Sequence, residues 1–141
     1  MIKTAFLIVL AIIFLSALGH AQCLKYEPAI VKLKGTLIER TFPGPPEYQS
    51  IANGDKPETA ILLLLDQPIC VEGDKTNLQN SEREINVVLV HVAMRSGYYL
   101  NKELINKKVL VTGSLYHAIT AHHRTQVLIS TGLIEQEHQD K

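Results

Sequence analysis

Val31-Lys32-Leu33-Lys34-Gly35-Thr36-Leu37 alternates apolar and polar residues with period two. That is the spacing of a half-buried β-strand with Val31, Leu33 and Leu37 turned inward. Gly35 falls on the inward face, where a missing side chain permits a bend or a bulge. The frame returns as Val109-Leu110-Val111-Thr112-Gly113-Ser114-Leu115. The likeness is not an internal repeat. Two strands of one curved barrel each need an inward glycine where the sheet coils, and that need accounts for it.

Three further strands lie around these two. Ala60 to Leu65 is a continuous apolar run that predicts a buried strand, broken near Pro68 and resumed at Ile69-Cys70-Val71. Glu72 to Glu84 is polar and predicts a surface connection, and Ile85 to Val90 predicts the third strand. Between Ser96 and Asn106, Leu100 and Leu104 are four apart among charged residues. A short helix fits there, with Asn101 or Ser96 as N-cap and Asn106 as a left-handed C-terminal residue. Thr125 to Ile134 is the last strand. The order β-β-β-α-β-β predicts a mainly β fold, a five-stranded OB-like Greek-key barrel with one short helix. A generic small β-barrel or a β-sandwich fragment is the fallback.

Phe42 to Glu58 carries four prolines and two glycines and predicts a long, stiff loop. Asn53-Gly54 within it is a turn pair. A loop of this length in a small domain is usually functional or disordered.

The N-terminus has a different grammar. Lys3 precedes a run from Ala5 to Leu18 that is apolar apart from Ser16, and Gly19-His20-Ala21 places small residues where signal peptidase reads. This predicts a cleaved signal peptide, 1–21, and so an exported chain. The run is shorter than the ~20 residues of a spanning helix, and no charged stop-transfer cluster follows, so no stable membrane anchor is expected after cleavage. Gln22 and His20 before Cys23 do not fit lipid attachment. A domain over 22–134 and a polar tail over 135–141 complete the organisation.

Removing 21 of the 141 residues leaves 120, with 13 basic against 14 acidic side chains once Lys3 is lost. A near-neutral surface with one Phe, five Tyr and no Trp offers neither the charge nor the stacking platforms of a nucleic-acid binder. Lys32, Lys34 and Arg40 share one face of the first strand, which reads as a solvated face. The two cysteines, Cys23 and Cys70, predict one disulfide in an oxidising compartment. It would close a loop of about 48 residues, worth about 4 kcal/mol on the chain-entropy account. No CxxC or Cys-His spacing supports a metal or catalytic thiol.

A family likeness rests on motifs that stand in order along the mature chain. They are Cys23-Leu24-x-Tyr26-Glu27-Pro28, Phe42-Pro43-Gly44-Pro45-Pro46-x-Tyr48-x-Ser50-Ile51, Gly54-Asp55-x-Pro57-Glu58, Pro68-x-Cys70-Val71 and Thr120-Ala121-His122-His123-Arg124-Thr125. The chain resembles a bacterial exported family known as domain of unknown function 4431, across essentially the whole mature sequence. The resemblance implies a periplasmic or secreted location and supports the cysteine pairing. It implies no activity. The family's hairpin reads Thr-Gly-His-His-His-Thr, so Arg124 stands here where the family has a third imidazole.

Two candidate sites follow. His117, His122 and His123 lie at the end of the fourth strand and on the hairpin after it, where zinc or copper could accept imidazoles. Adjacent residues of an extended chain point to opposite faces, however, so His122 and His123 do not easily share one ion. His91 could join only through the fold. The alternative is a polar hairpin whose imidazoles bond backbone or water. The second candidate is the proline-rich loop, with Phe42, Tyr48, Asp55 and Glu58 as ligand-binding residues on a rigid lip. It could equally cover an open barrel edge and plug a gap with Phe42. Enzymatic motifs are absent: there is no GxSxG, HExxH, phosphate-binding glycine loop or CxxC. Asp55, Glu58 and Asp66 could be catalytic only through convergence in space. The expectation is a non-enzymatic binding module for a protein or envelope ligand. A metal-binding protein using the hairpin histidines and a hydrolase with an unrecognised site are the alternatives.

Overall fold

Alternating side chains on strands long enough to coil close this chain into a barrel. The computed structural model describes residues 22–138. The expected signal peptide and residues 139–141 lie outside the described residues. The strands are β1 (Leu24–Lys25), β2 (Ile30–Pro43), β3 (Pro57–Glu72), β4 (Glu84–Met94), β5 (Lys108–His117) and β6 (Val127–Gln136).

β2 pairs antiparallel with β3 from Gly35↔Leu65 to Pro43↔Pro57, and β3 pairs antiparallel with β4. β4 runs parallel to β6 from His91↔Leu128 to Met94↔Thr131. β6 pairs antiparallel with β5, and β5 returns antiparallel to β2. The circuit β2-β3-β4-β6-β5-β2 is the strand order of an OB-type barrel, as the sequence predicts. The two-residue β1 adds a parallel strap on the end of β3, and Tyr26 bridges onward to Leu115 of β5.

The inward faces are those the alternation specifies. Val31, Leu33 and Leu37 of β2 meet Val109, Val111 and Leu115 of β5 in one buried cluster with Leu63, Val90 and Ile129. Each such side chain contributes roughly 1.5–3 kcal/mol through burial. The two inward glycines mark close approaches between strands. A Cβ on Gly35 would stand 2.3 Å from the Leu64 carbonyl oxygen, and one on Gly113 would stand 2.2 Å from that of Ser130. At Gly113 the β5–β6 register shifts by a bulge.

Cys23 and Cys70 form a disulfide, with Cα atoms 4.7 Å apart, tying the segment before β1 to the end of β3. The β3–β4 register shifts between Leu64 and Ile69, where Pro68 can donate no ladder hydrogen bond. Three elements differ from the sequence reading. The expected short helix is a single 3-10 turn, Lys102–Leu104, although Asn101 caps it through its side chain and Asn106 adopts a left-handed φ of 64°. The segment between Gly97 and Asn106 is too short and too little buried to propagate a full helix. The proline-rich loop is shorter than 42–58, because β2 runs through Pro43 and β3 starts at Pro57. The two prolines face each other at the last pair of the ladder. At the other end, β6 carries pairing to Gln136, two residues into the expected tail, because Gln136 pairs with Val109.

Candidate functional site

The barrel topology brings the loop 44–56, between β2 and β3, beside the hairpin 118–126, between β5 and β6. The loop is held from within. The Asp55 carboxylate accepts the backbone N–H groups of Glu47 (2.8 Å), Gln49 (2.7 Å) and Ser50 (2.8 Å). Those bonds, led by the one from Ser50, hold its carboxyl below the usual range. Gly44 N–H donates to the Lys56 carbonyl at 2.7 Å, and Lys56 N–H to the Pro45 carbonyl at 2.9 Å, closing the loop's neck. A 3-10 turn, Ile51–Asn53, ends at Gly54 with φ 111°. Tyr48 itself sits at φ 58°, a left-handed conformation uncommon for a bulky residue.

That conformation presents the Tyr48 side chain to the hairpin. Its hydroxyl lies 2.9 Å from His122 Nε2, and the two rings meet edge to face at 5.2 Å. His122 Nδ1 is 2.8 Å from Glu58 Oε2. A carboxylate only accepts, so Nδ1–H donates to Glu58, and in the neutral ring Nε2 accepts the phenolic proton. The other oxygen, Glu58 Oε1, accepts from Arg124 Nη2 at 2.9 Å. Burial alone would raise the Glu58 carboxyl, but His122 and Arg124 together outweigh it and hold the group low.

Arg124 completes the assembly. Its guanidinium lies 5.0 Å from the centre of the Phe42 ring and 5.7 Å from that of Tyr48. Both distances fall within cation–π range. Its side chain is only 7% exposed, and its Nε is buried without a partner. Phe42, Tyr48 and Glu58 of the predicted loop site and His122 of the predicted metal site thus form one cluster. Asp55 is the loop's internal tie, with both carboxylate oxygens engaged by backbone N–H groups. Arg124 was legible only as the point where the hairpin departs from the family pattern.

The other histidines do not join. His117 faces away, with Nε2 2.9 Å from Glu84 Oε1 and Nδ1 3.2 Å from the Ala118 carbonyl. His123 Nδ1 accepts the Ile119 N–H at 2.9 Å, and His91 Nδ1 accepts the Arg124 N–H at 3.2 Å. The neutral rings of His91 and His123 therefore carry their proton on Nε2, the atom they would need to offer an ion. Burial, then the charges of His123 and Arg124, push His91 down to about 4. Burial, then His122, also lowers His123. The expected zinc or copper set of His117, His122 and His123 is not brought together, because the barrel turns each imidazole to a different neighbour. Among the described residues, no group of three His, Cys, Asp or Glu side chains is placed to hold a metal ion. Asp66 is likewise far from this cluster in its contacts, paired with Lys108. Lys34 pairs with Glu137, as befits a solvated face.

The fold and this rim define a small OB-type barrel module in which the loops flanking β3 and joining β5 to β6 are bolted together. The model of the family described as domain of unknown function (DUF4431) matches residues 89–135, and over that stretch the family resemblance is borne out. The match takes in His91 on β4, all of β5, the histidine hairpin and most of β6. The cysteines and the proline-rich motif lie outside it. No curated protein and no solved structure matches the chain.

Proposed function

We propose that the chain is an exported, non-enzymatic binding module that engages a protein or envelope ligand through the rim formed by loop 44–56 and hairpin 118–126. One observation carries this reading. The two loops that carry ligand contacts in OB-type barrels are locked to each other here by the line Tyr48–His122–Glu58–Arg124. Such locking lowers the ordering cost of binding, because Tyr48 and the exposed ring of His122 are held in place before a partner arrives. Fold analogy supplies the choice of loops, and the side-chain contacts supply the surface. The signal-peptide grammar and the disulfide support a periplasmic or secreted location.

Crosslinking in the native envelope tests this. Wild type should recover a partner band, Tyr48→Phe, which keeps the ring over Arg124 but loses the hydroxyl bond to His122, should recover less of it, and Tyr48→Ala should lose it with the barrel still folded by circular dichroism. Equal recovery by all three variants removes the proposal's basis.

A hydrolase reading is favoured by one observation only. A carboxylate orients His122 so that its Nε2 lone pair meets a hydroxyl, the arrangement of an activated nucleophile. That reading requires turnover of some ester or amide in a substrate panel and its loss in His122→Asn. Silence of the wild type across such a panel ends it.

A further inference from the structure

A second feature lies where the chain enters the barrel. A cavity of about 530 Å³ opens between the corner Lys25–Ala29 and the end of β3 at Glu72–Asp74. Small-molecule sites span roughly 300–1,000 Å³. A further hollow of about 460 Å³ shares Glu27 and Pro28 as wall and continues to Asn77, Arg95 and Ser114.

The charges of the first cavity are unequal. Lys25 is the one cation on its wall, against Glu27, Glu72 and Asp74. Glu72 is paired with Arg83 at 3.3 Å, and Asp74 Oδ1 accepts the Thr76 N–H and hydroxyl at 2.9 and 2.6 Å. Glu27 has no cationic partner among the described residues. Among the described residues its one side-chain hydrogen-bond partner is Asn80, whose Nδ2 lies 3.5 Å from Oε1. Asn80 is fully buried, and its Oδ1 accepts the His117 N–H at 2.9 Å. A buried amide fixed by the end of β5 thus stands at the outer edge of hydrogen-bond range of an exposed carboxylate and leaves most of its acceptor capacity open. Tyr26, also on the wall, is 3% exposed, and its buried hydroxyl has no partner. Burial, then the charges of Glu84 and Glu82, which do not line the cleft, push that phenol up to about 12.

We propose that this cleft is a ligand site for a primary alkylammonium group, seated on the Glu27 carboxylate with its carbon chain along Pro28 and Ala29. A charge-assisted hydrogen bond supplies the polar end, and the apolar wall accepts the methylenes. The chemistry is shared by a free aliphatic amine and by the lysine side chain of a peptide. The site is separate from the rim, so its fate does not follow that of the Tyr48 surface.

Amide chemical shifts of the folded mature chain provide the test, with cadaverine, Nα-acetyl-lysine methylamide and 1,5-pentanediol as probes. Saturable shifts at Tyr26, Glu27, Ala29, Gly73 and Asp74 with an amine, absent with the diol, are expected. Glu27→Gln should weaken them about tenfold, the loss of one charged hydrogen bond, and Tyr48→Ala should leave them unchanged. Tighter binding of cadaverine identifies a free amine as the source, and tighter binding of the lysine derivative identifies a peptide. No saturable shift with either amine, an equal response to the diol, or undiminished binding in Glu27→Gln overturns the proposal.

Discussion

Glu58, at the start of β3, and Arg124, in the last hairpin, are 66 residues apart in sequence yet share a carboxylate–guanidinium hydrogen bond of 2.9 Å. The guanidinium is nearly buried, whereas Glu58 keeps 27% of its side chain in water. Replacing the carboxylate by an amide keeps an acceptor but leaves the desolvated cation, set against two aromatic rings, without a counter-charge. Glu58→Gln should therefore cost about 2 kcal/mol in urea unfolding, less than the 3–5 kcal/mol of a fully buried pair. The double variant Glu58→Gln/Arg124→Met should recover part of that loss, and simple additivity would show the pair to be uncoupled. The group's carboxyl is held low, so this contribution is present above its unfolded value near 4.5 and is lost as pH falls through the folded one.

His91 sets a second pH dependence with its own window. Its folded value near 4 lies below the ordinary 6.5, so the unfolded chain takes a proton between those values that the folded chain refuses. Stability is then complete above pH 6.5, falls as pH drops toward 4, and levels off below. For a half-buried ring, screened by solvent, the loss should be about 2 kcal/mol. His91→Gln should flatten the urea midpoint between pH 7 and pH 4.5 relative to wild type. Parallel profiles for the two proteins would show that the ring does not titrate as described.

The barrel was legible because strand burial is a local, period-two signal. Val31, Leu33 and Leu37 announce their face without reference to any partner. The strap β1 was not legible, since two residues carry no period, and neither was the 3-10 turn, which a Leu100/Leu104 spacing cannot distinguish from a helix. The rim was half legible. Tyr48 and Glu58 stood out by loop chemistry and His122 by residue type, but they were assigned to two separate sites. Nothing local to either segment says that position 58 meets positions 122 and 124, because that contact exists only once β3 and the β5–β6 hairpin share one barrel. Arg124 marked the departure from the family's third histidine, but nothing in the sequence said that its partner is the Glu58 carboxylate.

Gly35 is tested by the smallest possible change. A methyl at that position would stand 2.3 Å from the Leu64 carbonyl oxygen and 3.1 Å from Leu63 Cδ1. Neither neighbour can withdraw freely, because Leu63 is fully buried and Leu64 is paired with Thr36 in the ladder. Gly35→Ala should destabilise the fold by about 3 kcal/mol, the upper range for overpacking. Gly54→Ala, which meets nothing within 4 Å, should cost about 1 kcal/mol through its φ of 111° alone. Chemical denaturation of both variants measures the difference. Equal losses would mean that β2 and β3 separate readily at this point.

The disulfide acts on a different part of the molecule. It links residues 47 apart and fixes the segment that carries β1 and Tyr26. Thiol titration of the untreated native protein should find no free cysteine. The pair of changes Cys23→Ser and Cys70→Ser should lower stability by about 4 kcal/mol, the loop-closure entropy restored to the unfolded chain. The loss should also have a local signature. β1 contributes only two residue pairs to β3, so without its tether the backbone of residues 24–27 should exchange amide protons faster than β5 or β6. Uniform acceleration across the barrel would instead mean that the bond stabilises the whole fold and leaves the strap no less secure than the strands beneath it.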